Sequence, residues 1–225
     1  LLLEGPAGSG KTELAYAVAR ALGAPLERLQ CYEGITEEKA IGKFDEGLQR
    51  LYLDTVTRGA GASDWASLGK QLSTLDFFAA GPLLKALQYP SPCVLLIDEL
   101  DKVDHSFEAT LLEVLSVFRL SVPRLGTITA TSIPFTVLTS NEERRLGDPI
   151  RRRSLYVRVE HPTAEREGEI VARRTPEAGA PAHRLIAGFA KALRAYSLEK
   201  PPSVSEMIDM ALSLQHLGID EISKD

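Results

Sequence analysis

Residues Gly5-Pro6-Ala7-Gly8-Ser9-Gly10-Lys11-Thr12 follow directly on Leu1-Leu2-Leu3-Glu4 and fit G-x-x-x-x-G-K-[ST], the P-loop pattern that wraps nucleotide phosphates. Few stretches of this size restrict a fold as tightly. The glycines let the backbone turn sharply and aim successive N–H groups inward as an anion nest. Lys11 adds a charge for β- and γ-phosphates, and the Thr12 hydroxyl can ligate Mg²⁺. The geometry also asks for a helix directly after the loop, so that its positive N-terminus meets the same phosphates. The flanks read that way. An apolar strand precedes the loop, and a helix from about Lys11 to Leu22 follows, with Leu14, Ala15, Val18, Ala19 and Leu22 on one face.

The 225-residue chain is long enough for one large domain and a small one. Its net charge of −5 supplies no global basic field for nucleic acid or anionic lipid. The two cysteines, Cys31 and Cys93, suggest no disulfide framework, and a reducing, cytoplasmic setting is expected. Cys93 opens a very apolar run and reads as a buried thiol. No apolar stretch approaches the ~18 residues of a membrane span, and no signal peptide is recognisable. The chain starts without Met, inside a predicted strand, so the expectation is a nucleotide-binding domain lacking its N-terminal part.

Beyond Gly23-Ala24-Pro25, residues Leu26 to Tyr32 suit a second strand. Thr36 to about Leu53 reads as mostly helical, Arg58 to Ser63 as a flexible loop, and Asp64 to Gln88 as helix interrupted at Gly81-Pro82. Cys93 to Ile97 is a continuous apolar run, as in a central parallel strand covered on both faces. Ser106 to Phe118 is an amphipathic helix, with Phe107, Leu111, Leu115 and Phe118 near one face. Arg119 to Ile133 reads as a β-hairpin, and Phe135 to Thr139 and Ser154 to Glu160 as strands. The alternation predicts an α/β fold: a P-loop, three-layer αβα sandwich with a parallel sheet. After His161-Pro162-Thr163 the pattern turns helical, at about Ala164 to Arg174, Pro181 to Tyr196 and Ser203 to Leu217. A capping box, Ser203-Val204-Ser205-Glu206, opens the last helix, and Met207, Met210, Ala211, Leu214 and Leu217 follow at core spacing. The expected domains are therefore 1–162, α/β and nucleotide-binding, and 163–225, a small all-α lid.

Two further segments carry chemistry. Val94-Leu95-Leu96-Ile97-Asp98-Glu99 is an apolar strand ending in two carboxylates. At the carboxyl end of a central strand, Asp98 would join the Mg²⁺ shell, and Glu99 would orient and deprotonate a water. Phe135-Thr136-Val137-Leu138-Thr139-Ser140-Asn141 is a strand ending in a polar residue. Asn141 there can fix the attacking water or contact the γ-phosphate.

Together, Gly5 to Thr12, Asp98 with Glu99, Asn141, and Asp148-Pro149-Ile150-Arg151-Arg152-Arg153 before the last strand resemble an AAA+ ATPase. Within AAA+ the chain is similar to the MoxR group, on Arg28-Leu29-Gln30-Cys31-Tyr32-Glu33-Gly34, Ala79-Ala80-Gly81-Pro82-Leu83-Leu84, the hairpin, and Lys200-Pro201-Pro202-Ser203. Its nearest subgroup is the one associated with carbon-monoxide-dehydrogenase maturation. The resemblance implies ATP and Mg²⁺ as ligands and a homo-oligomeric ring, commonly hexameric. In such a ring Arg152 or Arg153 completes the neighbouring subunit's site from a sheet edge after a loop. It also implies a von Willebrand A-domain partner and remodelling of a client protein, possible metal-cofactor insertion included. One position departs from the family: Ser205 stands where a sensor 2 arginine is usual, and no arginine follows Tyr196, so either lid sensing is lost or Lys200 or Arg194 substitutes. The four histidines, His105, His161, His183 and His216, lack ligand spacing, so the one metal inferred is nucleotide-bound Mg²⁺. Two rival readings remain: a DNA-associated motor using Arg119 and Arg124 of the hairpin, against which the acidic balance argues, and a nucleotide-gated scaffold with little turnover.

Overall fold

A computed structural model describes residues 1–59, 65–194 and 202–217. In chain order, β1 (Leu2–Glu4) leads to α1 (Lys11–Leu22) and β2 (Leu26–Gln30). Next come α2 (Glu37–Ala40), β3 (Gly42–Phe44), α3 (Glu46–Gly59), α4 (Trp65–Leu72), β4 (Phe78–Ala80), α5 (Pro82–Gln88) and β5 (Val94–Asp98). They are followed by α6 (His105–Val117), β6 (Arg119–Val122), β7 (Gly126–Thr129), β8 (Phe135–Ser140), α7 (Asp148–Arg153) and β9 (Tyr156–Arg158). The last elements described are α8 (Ala164–Arg174), α9 (Gly179–Arg194) and α10 (Val204–Leu217).

The main sheet has five strands in the order β2-β5-β8-β1-β9. Every residue of β5 is buried, as its unbroken apolar run requires of a strand covered on both faces. β5 pairs in parallel with β2 and β8, and β8 pairs in parallel with β1. The register sets Gln30 opposite Asp98 and Leu138 opposite Ile97, so the carboxyl ends of β2, β5 and β8 lie side by side. That edge is where open parallel sheets of this kind bind ligands. The expected α/β sandwich with a parallel sheet and an all-α C-terminal region is what the chain forms.

Two stretches differ from the sequence reading. Thr36 to Leu53 is mostly helical, as α2 and the first part of α3, but β3 lies between the two. Asp64 to Gln88 likewise contains β4, which pairs antiparallel with β3 and sets Phe44 opposite Phe78. Their rings meet edge to face, 5.1 Å between centroids. Gly42 has φ +123°, and a Cβ there would fall 2.3 Å from the carbonyl oxygen of Ala79, so this close pairing needs glycine. Both strands have three residues, too few for a period-2 signal to outweigh the flanking helical pattern. The predicted loop from Arg58 to Ser63 begins inside α3, and its residues 60–63 lie outside the described ones. The hairpin is β6 paired antiparallel with β7.

The chain divides into two compact units, Leu1–Glu4 with Thr12–Val157, and Gly5–Lys11 with Arg158–Asp225. The core of the first gathers Leu95, Ile97, Leu83, Leu84, Leu87 and Leu111. That of the second gathers Val171, Ile186, Ala190, Met207, Ala211 and Leu214. Leu217, expected in this core, is exposed, as is Leu22 at the end of α1. Each is the last residue of its helix. The capping box forms in both directions: Glu206 N donates to Ser203 Oγ (3.3 Å) and Ser203 N donates to Glu206 Oε2 (2.7 Å).

Candidate active site

Lys11 opens α1 and is buried. Its ammonium donates to the carbonyls of Gly5 (2.8 Å) and Pro6 (2.7 Å) and to Ser9 Oγ (3.4 Å). It therefore ties the start of the loop to its end and concentrates positive charge inside the turn. Gly8 has φ +77°, and a Cβ on it would fall 2.6 Å from the Cβ of Ser203. Any side chain at Gly8 must displace Ser203, the residue just before α10.

Thr12 and Asp98 meet directly, Thr12 Oγ1 donating to Asp98 Oδ1 at 2.9 Å. Thr139, at the end of β8, donates to the same oxygen at 2.6 Å and accepts the backbone N–H of Glu99 at 2.8 Å. Asp98 Oδ2 accepts from Arg28 Nε (3.1 Å) and from its terminal nitrogen (2.6 Å). Burial works against the Arg28 charge, but hydrogen bonding and attraction from Asp98, with Tyr16 adding to both, raise its pKa. Arg28 also donates to Gln30 Oε1, and Gln30 Nε2 donates to Glu99 Oε2 at 3.0 Å. Glu99 is half-buried and left-handed, φ 57° and ψ 49°. Beneath this cluster lies Cys31, its thiol pushed up to about 12 by burial and then by the charges of Asp98, Asp101 and Glu99. A hydroxyl and a carboxylate in contact are hard oxygen donors, the kind of set that takes Mg²⁺ with waters and phosphate completing the shell. Thr12 and Asp98 fit that ion.

Asn141 follows directly on β8 and is half-buried. The loop it opens is gripped from the segment after Asp98 and Glu99. The buried Asp101 carboxylate accepts the N–H groups of Asn141 (3.1 Å) and Glu143 (3.0 Å). Lys102 pairs with Glu143 at 2.7 Å. The buried Glu108 accepts from Arg144 and from Gly147 N (3.0 Å). The loop delivers α7, in which the three arginines lie. Arg152 and Arg153, expected at a sheet edge after a loop, lie in the last turn of a short helix that leads into β9, the outer strand of the five-stranded sheet. Asp148 and Pro149 in the first turn favour that helix. Arg151 pairs with the buried Glu4 at 3.1 Å and lies over the Tyr156 ring, 5.1 Å from its centroid. Arg152 and Arg153 are exposed and make no ion pair among the described residues.

Ser205 is the second residue of α10 and is exposed. Lys200 lies outside the described residues, and Arg194 is described only as the last residue of α9. Sequence reasoning assigned no contact to Arg28, Gln30, Thr139, Asp101 or Glu108. Arg28 and Gln30 are spaced i, i+2 on a strand, which puts them on one face. That signal was readable; the strand they would face was not.

A parallel sheet with these groups at its carboxyl edge defines a P-loop nucleotide-binding domain. Over residues 1–154 the chain matches the family model described as AAA domain (dynein-related subfamily), and it belongs to that family of AAA+ ATPases. No curated protein matches the chain. A RuvB mutant from Thermotoga maritima is similar in structure, at 19% identity and a TM-score of 0.52, over all of this chain and 58% of that one. NtrX from Brucella abortus, solved in complex with ADP, is similar at 13% identity and a TM-score of 0.62, over all of this chain and 47% of that one. The chain thus spans about half the length of these structures, and at such identities the likeness speaks for the fold. Among the described residues, no helix is long and apolar enough to cross a membrane.

Proposed function

We propose that this chain is a MoxR-like AAA+ ATPase. Its ATP hydrolysis, in a homo-oligomeric and commonly hexameric ring, would remodel or mature a client protein together with a von Willebrand A-domain partner in the cytoplasm. Residues 1–162 form the nucleotide-binding domain of this reading, and 163–225 its lid. The observation that carries the ATPase part is the shared oxygen of Asp98, which accepts from both Thr12 (2.9 Å) and Thr139 (2.6 Å) with Glu99 next in sequence. Gly5 to Thr12 wrap the phosphates, Lys11 drawing charge toward them. Thr12 and Asp98 hold Mg²⁺, which when bound neutralises charge on the β- and γ-phosphoryl oxygens. Glu99, steadied by Gln30, takes the proton of the attacking water. Asn141 orients that water or the γ-phosphate. Arg152 or Arg153 enters the neighbouring subunit's site. The MoxR part rests on the segments around Arg28 to Gly34 and Ala79 to Leu84.

Arg124, a candidate phosphate contact in the DNA-motor reading, packs over the Phe44 ring at 4.8 Å and donates to Ser73 Oγ. That engagement weighs against its use on DNA. The test is multiple-turnover ATP hydrolysis with Mg²⁺, paired with native mass measurement and a pull-down using Glu99→Gln. Turnover in a ring, with a client retained by the variant, is expected. Tight binding with less than one turnover per subunit would instead favour the scaffold.

A further inference from the structure

The Asp98 carboxylate has about four acceptor positions, and four donors from this chain fill them. Thr12 and Thr139 hydroxyls take Oδ1, and two Arg28 nitrogens take Oδ2. A cation shell approaching Asp98 must therefore displace one of these donors. Thr12 can stay, because its oxygen lone pairs remain free for a metal while its proton points to Asp98. Thr139 is buried and also accepts the N–H of Glu99, so moving it breaks two bonds. Arg28 is the displaceable one: its side chain is 42% exposed against 3% for Asp98. It also supplies two of the four donor contacts, the two that bring a positive charge, which is the charge a divalent ion would replace.

We propose that Arg28 is a built-in competitor of the nucleotide-bound Mg²⁺. Its guanidinium occupies Asp98 Oδ2 and thereby sets how much Mg²⁺ the site requires. The inference rests on the ATPase reading and adds to it a residue that tunes metal demand. Arg28 is a positioning residue here, since it acts through Asp98. The charge is what competes, so lysine should serve nearly as well as arginine, although it lacks the two-pronged fork.

The experiment titrates Mg²⁺ into the full chain with ADP at fixed concentration and reads ADP binding by calorimetry. Mn²⁺ is used in parallel for its electron-paramagnetic-resonance signal. Arg28→Ala should lower the metal midpoint at least fivefold, while Arg28→Lys stays within twofold of the parent. A midpoint in Arg28→Ala that is unchanged or raised overturns the proposal. So does an Arg28→Lys midpoint that falls as far as that of Arg28→Ala, since loss of the fork alone would then explain the shift. Thermal melts accompany both variants; if Arg28→Ala does not fold, Arg28→Gln carries the same expectation. A parent that binds no ADP at any Mg²⁺ concentration would instead refute the ATPase reading, which keeps the two failures distinct.

Discussion

The Asp98 cluster and the α7 arginines are both charged, yet the chain treats them in opposite ways. Asp98 is 2% exposed, and every acceptor position it has is filled from within. Arg152 and Arg153 stand exposed with no ion pair among the described residues, in the same helical turn as Arg151, which is tied to the buried Glu4. A buried charge is tolerated only when paired and hydrogen-bonded. Groups that work within one chain can be set in place by folding. On the proposed reading Arg152 and Arg153 act on a neighbouring subunit, for which they must stay accessible while Arg151 anchors the helix that presents them.

The contrast is first tested where the interior is most committed. Lys11→Ala should abolish nucleotide binding, because it removes the charge gathered inside the loop; calorimetry with Mg²⁺ and ATP showing parental affinity would refute the loop's assignment. Glu99→Gln should keep binding and cut turnover by about 10³ or more, as loss of a positioned base does. Parental hydrolysis in that variant would remove Glu99 from the role.

The arginines sharpen the comparison directly. Arg152→Ala or Arg153→Ala should reduce hydrolysis by ~10³ if a true trans contact is lost, with melting unchanged. Activity should partly return in rings mixed with Glu99→Gln subunits. Arg151→Ala should behave oppositely, losing about 3 kcal/mol of stability by stranding Glu4. Equal melting of the three alanine variants would erase the distinction between anchor and presented group.

Smaller effects are expected at the lid and beneath the cluster. Ser205→Ala should leave the ATP/ADP affinity ratio within about threefold, or ~0.7 kcal/mol, while Ser203→Ala uncaps α10 at a cost of about 1 kcal/mol. Nucleotide titrations beside apo melts separate them, and a tenfold loss of ATP preference in Ser205→Ala would make that serine a sensor. Cys31 keeps its proton in the fold up to about 12 but loses it near 9 when unfolded. Above pH 9 the unfolded state thus binds fewer protons, and stability falls as pH rises, by at most ~1.4 kcal/mol per unit from this group. Urea unfolding of Cys31→Ala between pH 8 and 10 should show a shallower decline; coincident slopes would mean the thiol ionises in place.

The parts legible in the sequence are those written in contiguous residues. The loop from Gly5 to Thr12, the apolar run into Asp98, the capping box at Ser203, and α1 and α8 each carry a local pattern, and each forms within a residue or two of expectation. What escaped is non-local or short. β3 and β4 are defined by each other, 34 residues apart in their Phe44–Phe78 pairing. Arg28, Gln30 and Thr139 matter only once parallel register sets β2, β5 and β8 side by side. α7 was hidden because six residues are too few for a helical period to show. The proposed sensor 2 position is legible only as a departure, a serine where the resemblance expects an arginine, and the chemistry of that departure is not contained in one residue's identity.

Glu99 sits in the left-handed region, at φ 57°, where a residue with an ordinary side chain costs roughly 1–2 kcal/mol. Asparagine and glycine occupy that region more cheaply. The residue proposed to take the water's proton is thus one the backbone alone would not choose. Thermal selection without a demand for turnover would drift this position toward Asn or Gly, and a library sorted for melting temperature should lose catalysis here first. A glutamate retained at this point in a homologous chain is therefore a record of selection for hydrolysis, one that stability by itself would erase.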